Sequence, residues 1–178
     1  MARQVYFDNN ATTAVAPEVF EQMLPFFKEL YGNPSSMHSF GGKVAQYIEK
    51  ARESAAALIN ADPGEIVMTA CGTESDNHAI RGILEAHPEK KHIVTTSVEH
   101  PAVLNLCKHL EKNGYRATIL GVDPLGNLDL DRLRNVLTPD TAILSVMTAN
   151  NETGTLFPIE KIGEIAREKG VIFHTDAV

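Results

Sequence analysis

At 178 residues, 43% of them apolar, the chain suits one ordinary domain, and that length buries roughly 70% of the surface exposed on unfolding. Sixteen basic against 23 acidic side chains leave a net charge of −7, which argues against a sequence-independent grip on nucleic acid, since that needs a basic face. Two distant cysteines, Cys71 and Cys107, make neither a Cys-x-x-Cys pair nor a disulfide framework and fit a reducing cytosol.

Met1 to Gln4 lead directly into strand-like Val5-Tyr6-Phe7, without the pattern of a signal peptide, and no apolar run approaches the roughly eighteen residues of a membrane span. A soluble, cytoplasmic protein without membrane contact is expected. Asp8 to Thr13 is a polar, small-residued loop. Pro17 suits the first turn of a helix with Phe20, Met23, Leu24, Phe27 and Leu30 on one side, although Pro25 should kink or interrupt it. Tyr31 to Ser36 is a loop, and Val44, Ile48, Ala51, Ala55 and Leu58 mark an amphipathic helix ending near Asn60.

Asp62-Pro63-Gly64 turns into Ile66-Val67-Met68, which reads as a buried strand. Ala70, Cys71 and Gly72 keep the next turn slim, and Thr73-Glu74-Ser75-Asp76 opens a helix carrying Ala79, Ile80, Ile83 and Leu84. A helix start offers free N–H groups and a positive dipole end, so the segment outlines an anion site or a capped helix that binds nothing. Strands at 92–96, 115–122, 141–148 and from 171 then alternate with helices at 101–112 and 129–137 and one opening at Pro158. That alternation predicts an α/β fold with a mostly parallel sheet covered on both faces.

In such sheets ligands bind beyond the carboxyl ends of the strands. Those ends read Ala70-Cys71-Gly72-Thr73, Val98-Glu99-His100, Ala149-Asn150-Asn151-Glu152 and His174-Thr175-Asp176. His174 and Asp176 with His100 also imitate a two-histidine, one-carboxylate iron site, but such triads usually sit on antiparallel barrels, and no metal is expected. Cys107 reads as a helix core residue, and His38, His78, His87, His92 and His109 as surface or loop residues.

Phe7 to Thr13, Tyr31 to Ser36, Cys71 to Asp76, Glu99 to Leu104, Ala149 to Gly154 and Phe173 to Val178 resemble, in this order, the signature segments of NifS-type cysteine desulfurases. These are pyridoxal-phosphate enzymes of the class V aminotransferase group. The resemblance implies the large domain of a fold-type I enzyme seen in part, with residues 1–15 in a small domain and 16–178 in the cofactor-binding large domain. It implies pyridoxal 5'-phosphate as cofactor, with its phosphate at Gly72 and Thr73, His100 stacked on the ring and active in proton transfer, Asn151 on the phenolic oxygen, and Asp176 on the pyridinium nitrogen. Asn10, Ala11, Thr12 and Asn33 are similar to segments on the substrate side.

The implied reaction converts L-cysteine to L-alanine and a protein persulfide for iron–sulfur cluster assembly, with nitrogenase clusters as one destination. Implied partners are an iron–sulfur scaffold protein of NifU-like or IscU-like type and a second copy in a homodimer. The family's Schiff-base lysine and persulfide cysteine belong downstream of Asp176, so the remaining C-terminal half of the enzyme is a further expected partner, and this piece alone is expected to be inactive and unstable. A selenocysteine lyase, an aminotransferase or a non-catalytic remnant are the alternatives. Cys71, at a helix start of the kind that can activate a thiol, is a weaker candidate nucleophile, and the resemblance implies instead a small residue that lets the turn pass the phosphate.

Overall fold

The computed structural model describes residues 4–178; Met1 to Arg3, part of the start expected to carry no signal peptide, lie outside the described residues. Two compact units divide at Met68 and Thr69.

The first unit is helical. Helix α1 (Pro17–Lys28) has Pro17 in its first turn and runs on through Pro25, which has no N–H to offer the carbonyl of Glu21. Helix α2 (Ser39–Ile59) starts where His38 accepts the Gly41 N–H on Nδ1 and stops at Asn60, whose φ of 55° is the left-handed conformation that ends many helices. The Phe26 and Tyr47 rings meet edge to face with centroids 5.1 Å apart.

Two expected strands in this unit are absent. Val5-Tyr6-Phe7 forms no strand, and the Tyr6 hydroxyl donates to the carbonyls of Asp8 and Thr12. Ile66-Val67-Met68, expected as a buried strand, follows a short 3-10 helix at Pro63–Glu65 and forms no strand; Val67 is 60% exposed. An apolar run becomes a strand only when a neighbour pairs its backbone. Here Ile66 instead accepts from the Arg52 guanidinium on its carbonyl and donates its N–H to Pro63.

The second unit is a parallel sheet. Strands β1 (His92–Thr96), β2 (Arg116–Leu120), β3 (Thr141–Ser145) and β4 (Ile172–His174) lie in the order β2-β1-β3-β4. Helices α3 (Gly72–Ala86), α4 (Pro101–Glu111), α5 (Leu130–Val136) and α6 (Ile159–Glu168) alternate with them. Neighbouring positions on a strand face opposite ways, and the core divides accordingly. Ile93 and Ile143 pack with Ile80 and Leu84 of α3 and Val103 and Leu106 of α4. Val94 and Leu144 pack with Leu133 of α5 and Ile162 and Ile165 of α6. The sheet is therefore doubly wound, as the alternation of strands and helices predicts.

His92, expected at the surface, is fully buried on β1. Its Nδ1 lies 2.8 Å from Thr141 Oγ1 and its Nε2 2.8 Å from Thr118 Oγ1, so hydroxyls on both neighbouring strands satisfy the ring. Burial, and then the Arg116 charge, hold its pKa below the ordinary histidine value.

Candidate functional site

The chain passes from β1 to β2 through α4 on one face, then from β2 over β1 to β3 through α5 on the other. The winding reverses between β1 and β3, and the crevice at such a reversal is where open α/β sheets bind ligands. Two loops border it, Ser97–His100 after β1 and the segment 146–151 after β3.

Glu99 ties these loops together. Only 4% exposed, its carboxylate accepts the Thr96 hydroxyl at 2.7 Å and the Met147 N–H at 3.1 Å to each oxygen. Burial outweighs these bonds and pushes its pKa up to about 7. Beside it the Asn150 amide donates to the Val98 carbonyl at 3.0 Å, while its oxygen accepts the Thr153 N–H at 2.9 Å. The positions of His100 and Asn151 are thus set by buried neighbours one residue earlier in each loop.

His100 is exposed and caps α4, where Nδ1 accepts the Ala102 N–H at 3.1 Å. That bond occupies Nδ1, so proton exchange at this ring falls to Nε2. Asn151 is exposed, and its amide donates to Glu152 Oε1 at 2.8 Å.

Across the crevice, α3 begins at Gly72 with Cys71 as its N-cap and no side-chain cap on the helix. Its first intrahelical bond is Ser75 N–H to the Cys71 carbonyl, so the earlier N–H groups have no intrahelical acceptor. Glu74 turns back to accept the Ala70 N–H at 2.7 Å, fixing the entry of the chain. A Cβ on Gly72 would come within 2.9 Å of Val178 Cγ2, so the turn has room for glycine alone unless Val178 shifts. The Thr73 side chain and His100 share a cleft of about 410 Å³ between α3 and α4, together with Asn77, Arg81 and Asn105.

The ladder between β3 and β4 continues past both strands through Val146 N–H to His174 and Thr148 N–H to Asp176, at 3.1 and 2.8 Å. This sets Asp176 at the carboxyl end of β4, half-buried, with Oδ1 accepting the Val178 N–H at 3.1 Å. Asp76, in the second turn of α3, is 4% exposed and pairs with His174 Nε2 at 3.6 Å. Burial, then the Asp176 charge, raise its pKa to about 6, against the opposing pull of His100.

Of the residues singled out in the sequence, Gly72, Thr73, His100, Asn151 and Asp176 all belong to this second unit and to its carboxyl-end loops and helix starts. Asn10, Ala11, Thr12 and Asn33 belong to the first unit. There the Ala11 and Thr12 N–H groups donate to the Asp8 carbonyl, and Asn33 Oδ1 accepts the Ser35 N–H at 2.9 Å. Sequence reasoning assigned no role to Asp76, Ser145 or His174 in the site proper. Asp76 had a signal: it stands four residues before Ile80 and eight before Leu84, on the face of α3 that is buried.

An open helix start, an exposed imidazole and a strand-end carboxylate around the switch point of a parallel sheet define an α/β domain suited to an anionic, aromatic cofactor. The chain belongs to the class-V aminotransferase family, whose model matches residues 5–178, and enzymes of this kind use pyridoxal phosphate. A cysteine desulfurase of Trichormus azollae is 59% identical over 174 residues, covering 98% of this chain and 44% of that protein. The cysteine desulfurase NifS of Azotobacter vinelandii is 55% identical over 175 residues, with 98% and 44% covered. Among solved structures, a NifS-like protein superimposes with a TM-score of 0.95 at 41% identity over 99% of this chain and 49% of its own. SspA in complex with cysteine does so with a TM-score of 0.93 at 40% identity over 97% and 50%. These neighbours have the fold-type I architecture, and the chain spans about 44% of the length of the curated relatives it matches.

Proposed function

We propose that this chain is the cofactor-holding part of a cysteine desulfurase, which converts L-cysteine to L-alanine and leaves the sulfur as a protein persulfide for iron–sulfur cluster assembly. The observation that carries the reading is the grouping of Thr73, His100 and Asp176 at the carboxyl end of one parallel sheet, in a chain 59% identical to a cysteine desulfurase.

Pyridoxal phosphate fits the donors present. The N–H groups at Gly72 and Thr73, the Thr73 hydroxyl and the α3 dipole suit a dianionic phosphate, and Gly72 keeps Cβ atoms out of the turn. Asp176 suits the ring nitrogen, a charged hydrogen bond of about 1.5–3 kcal/mol. Asn151 offers an amide donor for the phenolic oxygen. When bound, the cofactor supplies a sink for the electrons released at the substrate α-carbon.

The chain's own residues do the rest. His100 would cover the ring, with Nε2 available to hold or move a proton while Nδ1 stays with the α4 cap. Glu99 and Asn150 keep the His100 and Asn151 loops at fixed spacing. The resemblance places the covalent lysine anchor and the sulfur-accepting cysteine in the remaining half of the polypeptide, and among the described residues no lysine follows the carboxyl end of a strand. Residues 1–15 belong with that half's small domain. The active protein is a cytoplasmic homodimer, and its sulfur passes to a NifU-like or IscU-like scaffold; the NifS relative supports a nitrogenase destination.

The test is to load the full-length protein with pyridoxal phosphate and supply L-cysteine with a reductant. Alanine and sulfide in equal amounts are expected. Release of selenide from selenocysteine without turnover of cysteine, or transamination without sulfide, would replace the reading with one of its relatives.

A further inference from the structure

Asp76 has no part in the cofactor contacts above, yet it is a carboxylate placed in the apolar stripe of α3 beside Ile80 and Leu84. A buried carboxylate is costly unless it is paired. Its partner is His174, with Nε2 3.6 Å from Asp76 Oδ1, and the other ring nitrogen, Nδ1, lies 2.9 Å from Ser145 Oγ. A carboxylate facing Nε2 favours the proton there, so Ser145 donates to Nδ1. The order serine, histidine, aspartate imitates a hydrolytic triad, but Ser145 is fully buried on β3 and reaches no substrate. The chain of contacts instead joins α3, β4 and β3 directly beneath Asp176.

We propose that Asp76 is a positioning residue that sets a second negative charge beside Asp176 and braces its strand end through His174, so that a cationic ring nitrogen at Asp176 keeps its proton. The inference rests on the cofactor reading given above. The groups facing Asp76 are His174 at the end of β4, Asp176 two residues past it and His100 at the start of α4, and Glu99 in the loop after β1 also senses its charge. The Asp176 charge raises the affinity of Asp76 for a proton, as a like charge does, and a cation held at Asp176 relieves that repulsion. Burial and, after it, the Asp176 charge raise the pKa of Asp76 to about 6, and the second of these causes is the one a cation at Asp176 relieves. Linkage then requires reciprocity: if Asp76 stabilises the protonated ring, the protonated ring must lower the pKa of Asp76.

The experiment uses the full-length protein loaded with pyridoxal phosphate carrying 15N in its ring, with the nitrogen shift followed against pH. Asp76→Asn should lower the midpoint of ring deprotonation by about one pH unit, the scale of a neighbouring charge, and Asp76→Glu should restore it. In the wild type alone, 13C NMR of the Asp76 carboxyl should show its midpoint falling when the cofactor is loaded, a measurement that needs no variant to fold. An unchanged ring midpoint in Asp76→Asn, or an Asp76 midpoint indifferent to loading, overturns the inference and leaves the cofactor reading standing. Failure of the wild type to bind the labelled cofactor overturns both.

Discussion

Glu99 accepts the backbone N–H of Met147 with both carboxylate oxygens, each at 3.1 Å, and so clasps the loop after β1 to the segment after β3. Its pKa of about 7 against an ordinary 4.5 means that the folded state binds a proton that the unfolded chain has released between those values. Stability from this group is therefore fully present below pH 4.5 and lost as pH rises through 7. Glu99→Gln keeps an acceptor oxygen for Met147 but cannot ionise. Urea midpoints of the full-length protein from pH 6 to 8 should fall less in Glu99→Gln than in the wild type. Parallel pH profiles would remove Glu99 as the source. Glu99→Ala, which leaves the Met147 N–H buried without an acceptor, should cost about 1–3 kcal/mol at pH 6 and less as pH rises through 7.

The two cysteines should differ in reactivity. Cys71 is exposed at the start of α3, whereas Cys107 is buried in α4 with its thiol pushed up to about 11 by burial and then by the Glu111 and Glu99 charges. Iodoacetamide followed by peptide mapping of the native protein should label Cys71 and spare Cys107 until denaturant is added. Prior loading with pyridoxal phosphate should slow labelling of Cys71, next to the phosphate turn. Labelling at a rate indifferent to loading would place the phosphate elsewhere.

Most of the second unit could be read from residue order, because apolar strand centres alternate with striped helices, two of which are followed by glycines of positive φ, Gly114 at 87° and Gly170 at 64°. The misreadings share a cause: long-range partners. Ile66-Val67-Met68 has a strand's composition, but pairing depends on a neighbour that no local pattern reveals. His92 has a polar side chain beside the charged Lys91, and only the registry of β1 with β2 and β3 brings Thr118 and Thr141 to its two nitrogens. The same limit hid the site's supports. Thr73 at a helix start and His100 and Asp176 after strands are visible as motifs, whereas the pairing of Asp76 with His174 spans nearly a hundred residues.

Thr73 bears on the phosphate end of the proposed site. It sits in the first turn of α3, exposed, in the cleft that it shares with His100. In the full-length protein, Thr73→Ala removes one hydroxyl donor to a dianion and should raise the Kd for pyridoxal phosphate about tenfold, the worth of a charged hydrogen bond. Thr73→Ser should stay within about twofold of the wild type. Equal affinity in all three proteins would mean that the hydroxyl does not touch the phosphate.

Asp176 carries the central claim, that the carboxyl end of β4 holds the cofactor's ring nitrogen. The direct measurement is the rate of alanine formation from L-cysteine by full-length Asp176→Ala, loaded with pyridoxal phosphate, with thermal melting as a check on the fold. The expected result is a rate at least about 100-fold below wild type with a melting temperature close to it. Alanine formation near the wild-type rate would contradict the assignment of Asp176 and, with it, the site proposed for this chain.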